Sequence, residues 1–310
     1  MKAAQYSKYG GAEVIEINEN APKPQIKDGQ VLVEVHAASL NPVDLGVMAG
    51  RMGGPPLPQT AGGNFSGVVL EVGSNLNEFK IGDEVYGQAL VLNGGSGSIA
   101  EFAASNAANT ALKPKSLNHV DAASLPLVGA SAIQALEQHI NLKSGQKILI
   151  HGGAGGIGSI AIQLAKYTGA YVATTVSSDG IQTAKRLGAD QVIDYQKENF
   201  EDKLSGYDAV FNTAKGDVAE RSLKVLKKGR ILVSMTGAPD PELAKKYGVV
   251  AIGQMTESSK KNLTRLTQLV DEGVIKPQID KVFPLSQTKE AFEYLETGHP
   301  KGKVVIKIKE

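Results

Sequence analysis

Hydrophobic positions follow two different rhythms along this chain. In the first third, apolar residues come in short runs between turns. "VLVEVHAASL" (Val31–Leu40) and "FSGVVLEVG" (Phe65–Gly73) are rich in Val, Leu and small residues. "GDEVYG" and "IAEFAAS" are shorter stretches of the same kind. The Gly/Pro-rich segments "AGRMGGPPLPQTAGG" and "LNGGSGS" separate them. Short strands with such punctuation predict an antiparallel, barrel-like domain.

From about His119 the period becomes helical. "DAASLPLVGASAIQALEQH" predicts a helix with Asp121 as its N-cap. Strand "KILIHG" (Lys147–Gly152), helix "GIGSIAIQLAKYTG", strand "AYVATTV" (Ala170–Val176) and helix "DGIQTAKRLGA" follow. The series continues through "QVIDY", "YDAVFNTA" (Tyr207–Ala214), helix "GDVAERSLKVLKK", strand "GRILVSMTG" and "GVVAIGQM". Strands alternating with helices mean βαβ units, hence a doubly wound parallel sheet with helices on both faces. The tail returns to mixed patterning: helix "SSKKNLTRLTQLVDEG", strand "IDKVFPL", helix "SQTKEAFEYLETG" and strand "GKVVIKIK".

Composition narrows the function classes. A chain of 310 residues suits two domains. Its 33 Lys and Arg against 32 Asp and Glu give a net charge of +1 and offer no bulk attraction to nucleic acid or membrane. Mean hydropathy is −0.13, and every apolar run breaks well before the ~18 residues a membrane span needs. There is no cysteine, which removes disulfides, thiolate catalysis and Cys-bearing zinc sites, and fits a cytoplasmic protein. "MKAAQYSKYGG" lacks a signal peptide's apolar core. The 5 histidines (His36, His119, His139, His151, His299) show neither HxH nor HExxH spacing, so no metal site is expected.

The chemistry concentrates at "GGAGGIG", between an apolar strand and an apolar-periodic helix. Gly153, Gly155 and Gly158 satisfy G-x-G-x-x-G. In that context one glycine permits the tight turn, a second lets backbone amides approach a pyrophosphate, and a third lets helix and strand pack closely. The helix start, from Gly153 through Ala154, Gly155, Gly156 and Ile157 to Gly158, offers free amides and a partial positive charge. A dinucleotide is therefore the expected cofactor. NAD sites place an acid at the end of the second strand, about 20 residues on. Here that strand ends in "VSSD": Ser177 and Ser178 stand where the acid would be, and their hydroxyls favour NADP. Asp179 is either a displaced ribose acid or the N-cap of the next helix. No Tyr-x-x-x-Lys, G-x-S-x-G or phosphate-loop motif occurs, which excludes a short-chain dehydrogenase and a nucleophile-elbow hydrolase.

The whole chain resembles the zinc-independent branch of the medium-chain dehydrogenase/reductases, the quinone oxidoreductases. The resemblance runs from end to end: "SLNPVD", "GGNFSGVVLEVG", "IGDEVYG", "AASLPLVGASAIQAL", "GGAGGIG", "LGADQVIDY" and "GKVVIKI". It implies a Rossmann domain inserted into a GroES-like, mostly antiparallel β catalytic domain, with the cofactor in the cleft. The expected boundaries are 1–118 and 256–310 for the catalytic domain and 119–255 for the Rossmann domain. Homodimers are implied too, paired through an edge such as "GVVAIGQM". The zinc-dependent branch has Cys at Asn41 and Gly-His-Glu at Gly62–Gly63–Asn64, and a cysteine lobe that is missing here, so the resemblance implies no zinc. Without that Lewis acid, a quinone or a conjugated enone suits hydride transfer better than an ordinary ketone.

The remaining site residues also come from the resemblance. Asn41 and Asp44 match the family's active-site segment. Asn41 donates to a carbonyl oxygen, positions the nicotinamide, or merely turns the chain before Pro42. Asp44 is expected to anchor the loop. Ser131 passes the nicotinamide or packs a helix, and Tyr195 lies near the adenosine ribose or packs at a strand end. Thr236 ends a strand at the sheet edge where such folds bind ligands. "GRMGGPPLP" and "NGGSGS" complete the pocket, and His151 is structural. Relatives often have Asp at Asn64 and Arg at Met48. The expected activity is NADPH-dependent reduction of quinones or α,β-unsaturated carbonyls, a small-molecule chemistry. The alternatives are a 2-enoyl thioester reductase and a non-catalytic NADPH-binding protein.

Overall fold

The computed structural model describes residues 1–53, 56–298 and 300–309. Gly54 and Pro55 of the expected pocket loop, and His299, lie outside them. The chain forms two compact units. One is Met1–Leu127 with Ser258–Gly273 and Pro277–Glu310, and the other is Val128–Glu257 with Val274–Lys276.

The first unit begins with strands β1 (Ala3–Tyr6), β2 (Glu16–Asn18) and β3 (Gln30–Ser39), then helix α1 (Pro42–Met48). Strands β4 (Gln59–Thr60), β5 (Asn64–Val72), β6 (Glu84–Gln88), β7 (Phe102–Asn106) and β8 (Thr110–Leu112) lead to α2 (His119–Ala123). β2, β1 and β4 form a small antiparallel sheet. β3 is the spine of the larger one, with β5 antiparallel along one side and β7 on the other. Its alternation is what the sequence shows: Val31, Val33 and Val35 point one way and are buried with Phe65, Val69 and Val85.

The second unit starts in α3 (Pro126–Ile133), which runs into a π-helical turn at Gln134–His139. Then come β9 (Lys147–His151), α4 (Gly156–Tyr167), β10 (Tyr171–Val176), α5 (Ile181–Arg186) and β11 (Gln191–Asp194). β12 (Tyr207–Asn212), α6 (Val218–Arg221), β13 (Leu226–Ser234), α7 (Pro241–Tyr247) and β14 (Val250–Gly253) complete it. The strands lie in the order β11-β10-β9-β12-β13-β14, with every neighbour parallel. This is the Rossmann order, and it reverses at β9, so ligands are expected beyond the C-terminal end of that strand. Leu149, Ala173, Ile193, Val210 and Leu232 fill its core with Phe200, Leu204 and Leu223.

The tail rejoins the first unit as α8 (Lys260–Asp271), β15 (Ile279–Pro284), α9 (Thr288–Glu296) and β16 (Lys303–Lys307). β16 adds antiparallel to the end of β3, and β15 runs parallel to β16. The Tyr86 hydroxyl donates to the Leu263 carbonyl at 2.7 Å and ties α8 to β6. Among the described residues, no helix is long and apolar enough to cross a membrane.

Several elements differ from the sequence reading. The long helix expected from Asp121 to His139 is interrupted before Pro126, which has no N–H to donate and disfavours helix in the residue before it. Asn118, rather than Asp121, caps α2: its side chain accepts the Asp121 N–H at 2.9 Å. The first unit extends to Leu127, beyond the expected boundary at residue 118. The reason is that His119 binds Ser66 through Nδ1 at 2.8 Å and faces Glu84 at 3.2 Å, which holds α2 on β5 and β6. The helix expected to run to Lys228 gives way at Leu226, which pairs with Tyr207 and starts β13. α1 and α7 were not expected. α7 is capped by Asp240, which accepts the Glu242 N–H at 2.7 Å, and it ends at left-handed Gly248.

Candidate functional site

The glycine turn lies between β9 and α4. Gly152 carries the left-handed conformation, with φ +73°, so the tight turn falls one residue before the first motif glycine. Gly158 fills the close-packing role: a Cβ there would lie 2.2 Å from the Gly152 carbonyl oxygen. Gly153 is equally confined, since its Cβ would meet Thr174 Oγ1 at 2.1 Å. Gly155 is different. It is the N-cap of α4, and the nearest atom to a Cβ there is 3.3 Å away. Ala154, Gly155, Gly156 and Ile157 are half-buried, whereas Gly153 and Gly158 are buried. The first-turn amides of a 12-residue helix thus meet a cradle that side chains would fill. These residues fit the pyrophosphate of a dinucleotide.

At the neighbouring strand ends the expected residues hold each other. Ser177 Oγ donates to Asp179 Oδ1 at 2.5 Å, and Ser178 Oγ donates to the Asp194 carboxylate. The Ser178 hydroxyl holds Asp194 below the usual carboxylate range. Tyr195 follows β11 and is exposed. Thr236 Oγ1 donates to the Ala214 carbonyl at 3.0 Å and accepts from Asn212 Nδ2 at 3.2 Å, which links the ends of β12 and β13. Ser131 on α3 is buried, with its Oγ 2.6 Å from Thr256 Oγ1, and its carbonyl accepts from Gln254 Nε2 at 3.0 Å. The structural role of His151 is visible in its bonds to Thr175 Oγ1 at 2.9 Å and Ser222 Oγ at 2.8 Å. Asp194, Gln254 and Thr256 were not singled out in the sequence. Nothing in their local pattern distinguishes them.

A second group of expected residues lies in the first unit. β3 ends at Ser39, and Asn41 caps α1 with Pro42 at its first position. Asp44 accepts the Asn41 N–H at 2.7 Å in a capping box, so it anchors this turn. Both side chains are buried. β16 brings in Lys303, which the sequence reading did not assign. It is 5 % exposed, and its Nζ donates to the Leu40 carbonyl and to Asn41 Oδ1. Burial pushes the Asp44 carboxyl up and the Lys303 ammonium down, and each charge opposes the effect on the other. Asn41 Nδ2 is buried and has no hydrogen-bond partner among the described residues. A lysine at a buried position of "GKVVIKI" was the available signal for Lys303, because a buried lysine needs partners.

Around this centre, Asn64 donates to Ser39 Oγ at 3.2 Å and accepts from Gln88 Nε2 at 2.9 Å. A neutral amide therefore satisfies the position where relatives have Asp. Met48, where relatives have Arg, is buried with Tyr6 and Leu40 in the core. Tyr6, Asp44, Met48, Gly62 and Leu90 line a small cavity beside α1. Among the described residues, no cluster of three or more His, Cys, Asp or Glu could hold a metal.

A Rossmann sheet with a glycine turn that fits a pyrophosphate, on a chain whose two ends build a GroES-like β unit, defines the class of nicotinamide-dependent dehydrogenases and reductases. The family model for the alcohol dehydrogenase GroES-like domain matches residues 27–115, and that for zinc-binding dehydrogenases matches residues 187–306. The chain is 42% identical to a 2-methylene-furan-3-one reductase of Solanum lycopersicum, over 99% of this chain and 79% of that protein. It is 40% identical to an NADPH-dependent alkenal/one oxidoreductase of Arabidopsis thaliana, over the same shares. The solved quinone oxidoreductase of Coxiella burnetii superposes with a TM-score of 0.89 at 36% identity, covering 100% of this chain and 99% of that one. The chain belongs to the medium-chain dehydrogenase/reductase family, among its quinone and alkenal oxidoreductases.

Proposed function

We propose that this chain transfers hydride from NADPH to quinones or to the C=C bond of α,β-unsaturated carbonyl compounds, without zinc. The observation that carries this reading is the buried, unpartnered Asn41 Nδ2. It is a donor without an acceptor among the described residues, and negative charge developing on a carbonyl oxygen would satisfy it. The Lys303 ammonium on Asn41 Oδ1 further supports a zinc-free centre, because a second cation at this position would be repelled. NADPH supplies the hydride when bound. On the chain's side, the turn at Gly153–Gly158 holds the pyrophosphate, Ser177, Ser178 and Tyr195 take the adenosine end, and Ser131 and Thr236 border the nicotinamide. Asp44 holds the Asn41 turn. Delocalisation in the acceptor lets one or two hydrogen bonds suffice, each worth roughly 3–4 kcal/mol when preorganised.

The relatives named above support this substrate class and cofactor. The test is a loss of 340 nm absorbance when NADPH is mixed with purified protein and a panel of quinones and enones. Inertness towards every acceptor, with tight NADPH binding, would favour the non-catalytic alternative.

We also infer a cytoplasmic homodimer paired through β14. Exposed Val250 on that edge strand and exposed Met255 just beyond it support the pairing.

A further inference from the structure

Lys303 stands at the start of β16, and its Nζ reaches the Leu40 carbonyl and Asn41 Oδ1, 262 residues away in sequence. The two ends of an amide look alike in size and differ only in chemistry. A lysine ammonium donates and never accepts, so the end of Asn41 that faces it must be the oxygen. That fixes the other end as nitrogen. The buried Nδ2 is then a donor with no acceptor among the described residues. Leaving such a donor unpaired costs about 1–3 kcal/mol, so the site is built for an acceptor that arrives with a ligand.

We propose that Lys303 is the positioning residue of the site: it locks the Asn41 amide with Nδ2 offered to a carbonyl oxygen of the bound ligand, and it polarises that donor. Polarisation follows because a cation bonded to the amide oxygen draws charge away from the nitrogen, and chains of hydrogen bonds strengthen one another. Asp44 on α1 is the counter-charge that keeps a buried ammonium tolerable. The arrangement explains why the C-terminal segment must return to the first unit: the lock is delivered by β16, which pairs antiparallel with the end of β3 just before Asn41. The carbonyl oxygen could belong to the nicotinamide carboxamide or to the acceptor substrate. The inference rests on the proposed function for the identity of that ligand, and on geometry alone for the lock.

Lys303→Met, Asn41→Ala, the double variant and Asn41→Asp test it. Two quantities are read for each, alongside thermal unfolding: NADPH affinity by fluorescence titration, and kcat and KM with a quinone or enone. If the oxygen is the substrate's, Asn41→Ala lowers kcat roughly 10²-fold, the typical loss for one such donor, with NADPH affinity unchanged. If it is the cofactor's, NADPH affinity falls instead. In either case Lys303→Met must move the same quantity as Asn41→Ala, and the double variant must be no worse than Asn41→Ala alone. Losses that multiply, or a Lys303→Met variant with both quantities unchanged, overturn the proposal. Asn41→Asp keeps an acceptor for Lys303 and removes the donor, so it reads the same question should Lys303→Met fail to fold. It is expected to match Asn41→Ala, and wild-type behaviour would overturn the lock. A wild type that binds NADPH but reduces nothing defeats the proposed function, and NADPH affinity then decides the lock: Lys303→Met and Asn41→Ala weakening NADPH alike supports it, and wild-type affinity in either variant overturns it.

Discussion

Ser178 Oγ donates its hydrogen bond to the carboxylate of Asp194, across the ends of two neighbouring parallel strands. Ser177 Oγ donates to Asp179, two residues further along the same turn. The hydroxyls expected to greet a 2′-phosphate are therefore engaged by acids, and they must turn away from them to bind it. Like charge at Asp179 opposes a phosphate in that place. Asp179→Asn is expected to tighten NADPH about 10-fold, a change of about 1.4 kcal/mol, and to leave NADH nearly unchanged. Ser177→Asp is expected to weaken NADPH by at least as much. Fluorescence titrations with both cofactors check this. A wild type that prefers NADH would make Asp179 the ribose acid.

The glycines of the turn separate by role. A methyl at Gly158 would lie 2.2 Å from a backbone oxygen, which nothing can relieve without moving β9 from α4. Gly158→Ala is therefore expected to lower stability by roughly 3 kcal/mol or more, visible as a large fall in Tm. At Gly155 the nearest atom is 3.3 Å away. Gly155→Ala is expected to keep the wild-type Tm within a few degrees and to bind NADPH at least 10-fold more weakly, because its methyl enters the phosphate cradle. Equal Tm losses in the two variants would count against this division.

His151 makes the protein sensitive to acid. Burial pushes its pKa down to about 3, with nearby Arg221 adding to the shift and Glu201 opposing it. The unfolded chain takes up a proton near pH 6.5, whereas the folded protein does so only near 3. Between those values the unfolded state binds more protons, so stability falls as pH falls through that window and is fully present above it. His151→Gln removes this contribution. Urea unfolding at several pH values between 7 and 4 should give a shallower loss of stability for the variant than for the wild type.

Edge strand β14 offers a test of assembly. Val250 is 55% exposed and Met255 76% exposed. An uncovered apolar edge invites pairing with a second copy. Val250→Lys places a charge on that edge and is expected to shift the protein from dimer to monomer in size-exclusion chromatography with light scattering, with little change in Tm. A wild type that is already monomeric at micromolar concentration would reject the dimer.

Much of this molecule was legible because local pattern and local structure coincide. The strand, glycine turn and helix from Lys147 to Tyr167 were read nearly as they stand, since the apolar period and the glycine spacing both report backbone geometry. Asn41 and Asp44 were singled out through their motif, and the capping box they form is local, spanning only Asn41 to Asp44. The reading failed where a distant partner decides. Leu226 reads as helix, but its pairing with Tyr207 makes it strand. His119 reads as the start of the second domain, but Ser66 and Glu84 hold it to the first.

By itself, the sequence determined the class of fold, the position of the glycine turn and the resemblance that points to quinones and enones. Periodicity and glycine placement are properties of neighbouring residues, and a sequence displays them directly. Only the tertiary structure decided which groups meet. It brought Lys303 to Asn41, committed Ser177 and Ser178 to acids, and left the Asn41 amide nitrogen without a partner among the described residues. Hydrogen bonds act over about 3 Å regardless of separation along the chain, so their partners are set by folding and stay hidden in the order of residues.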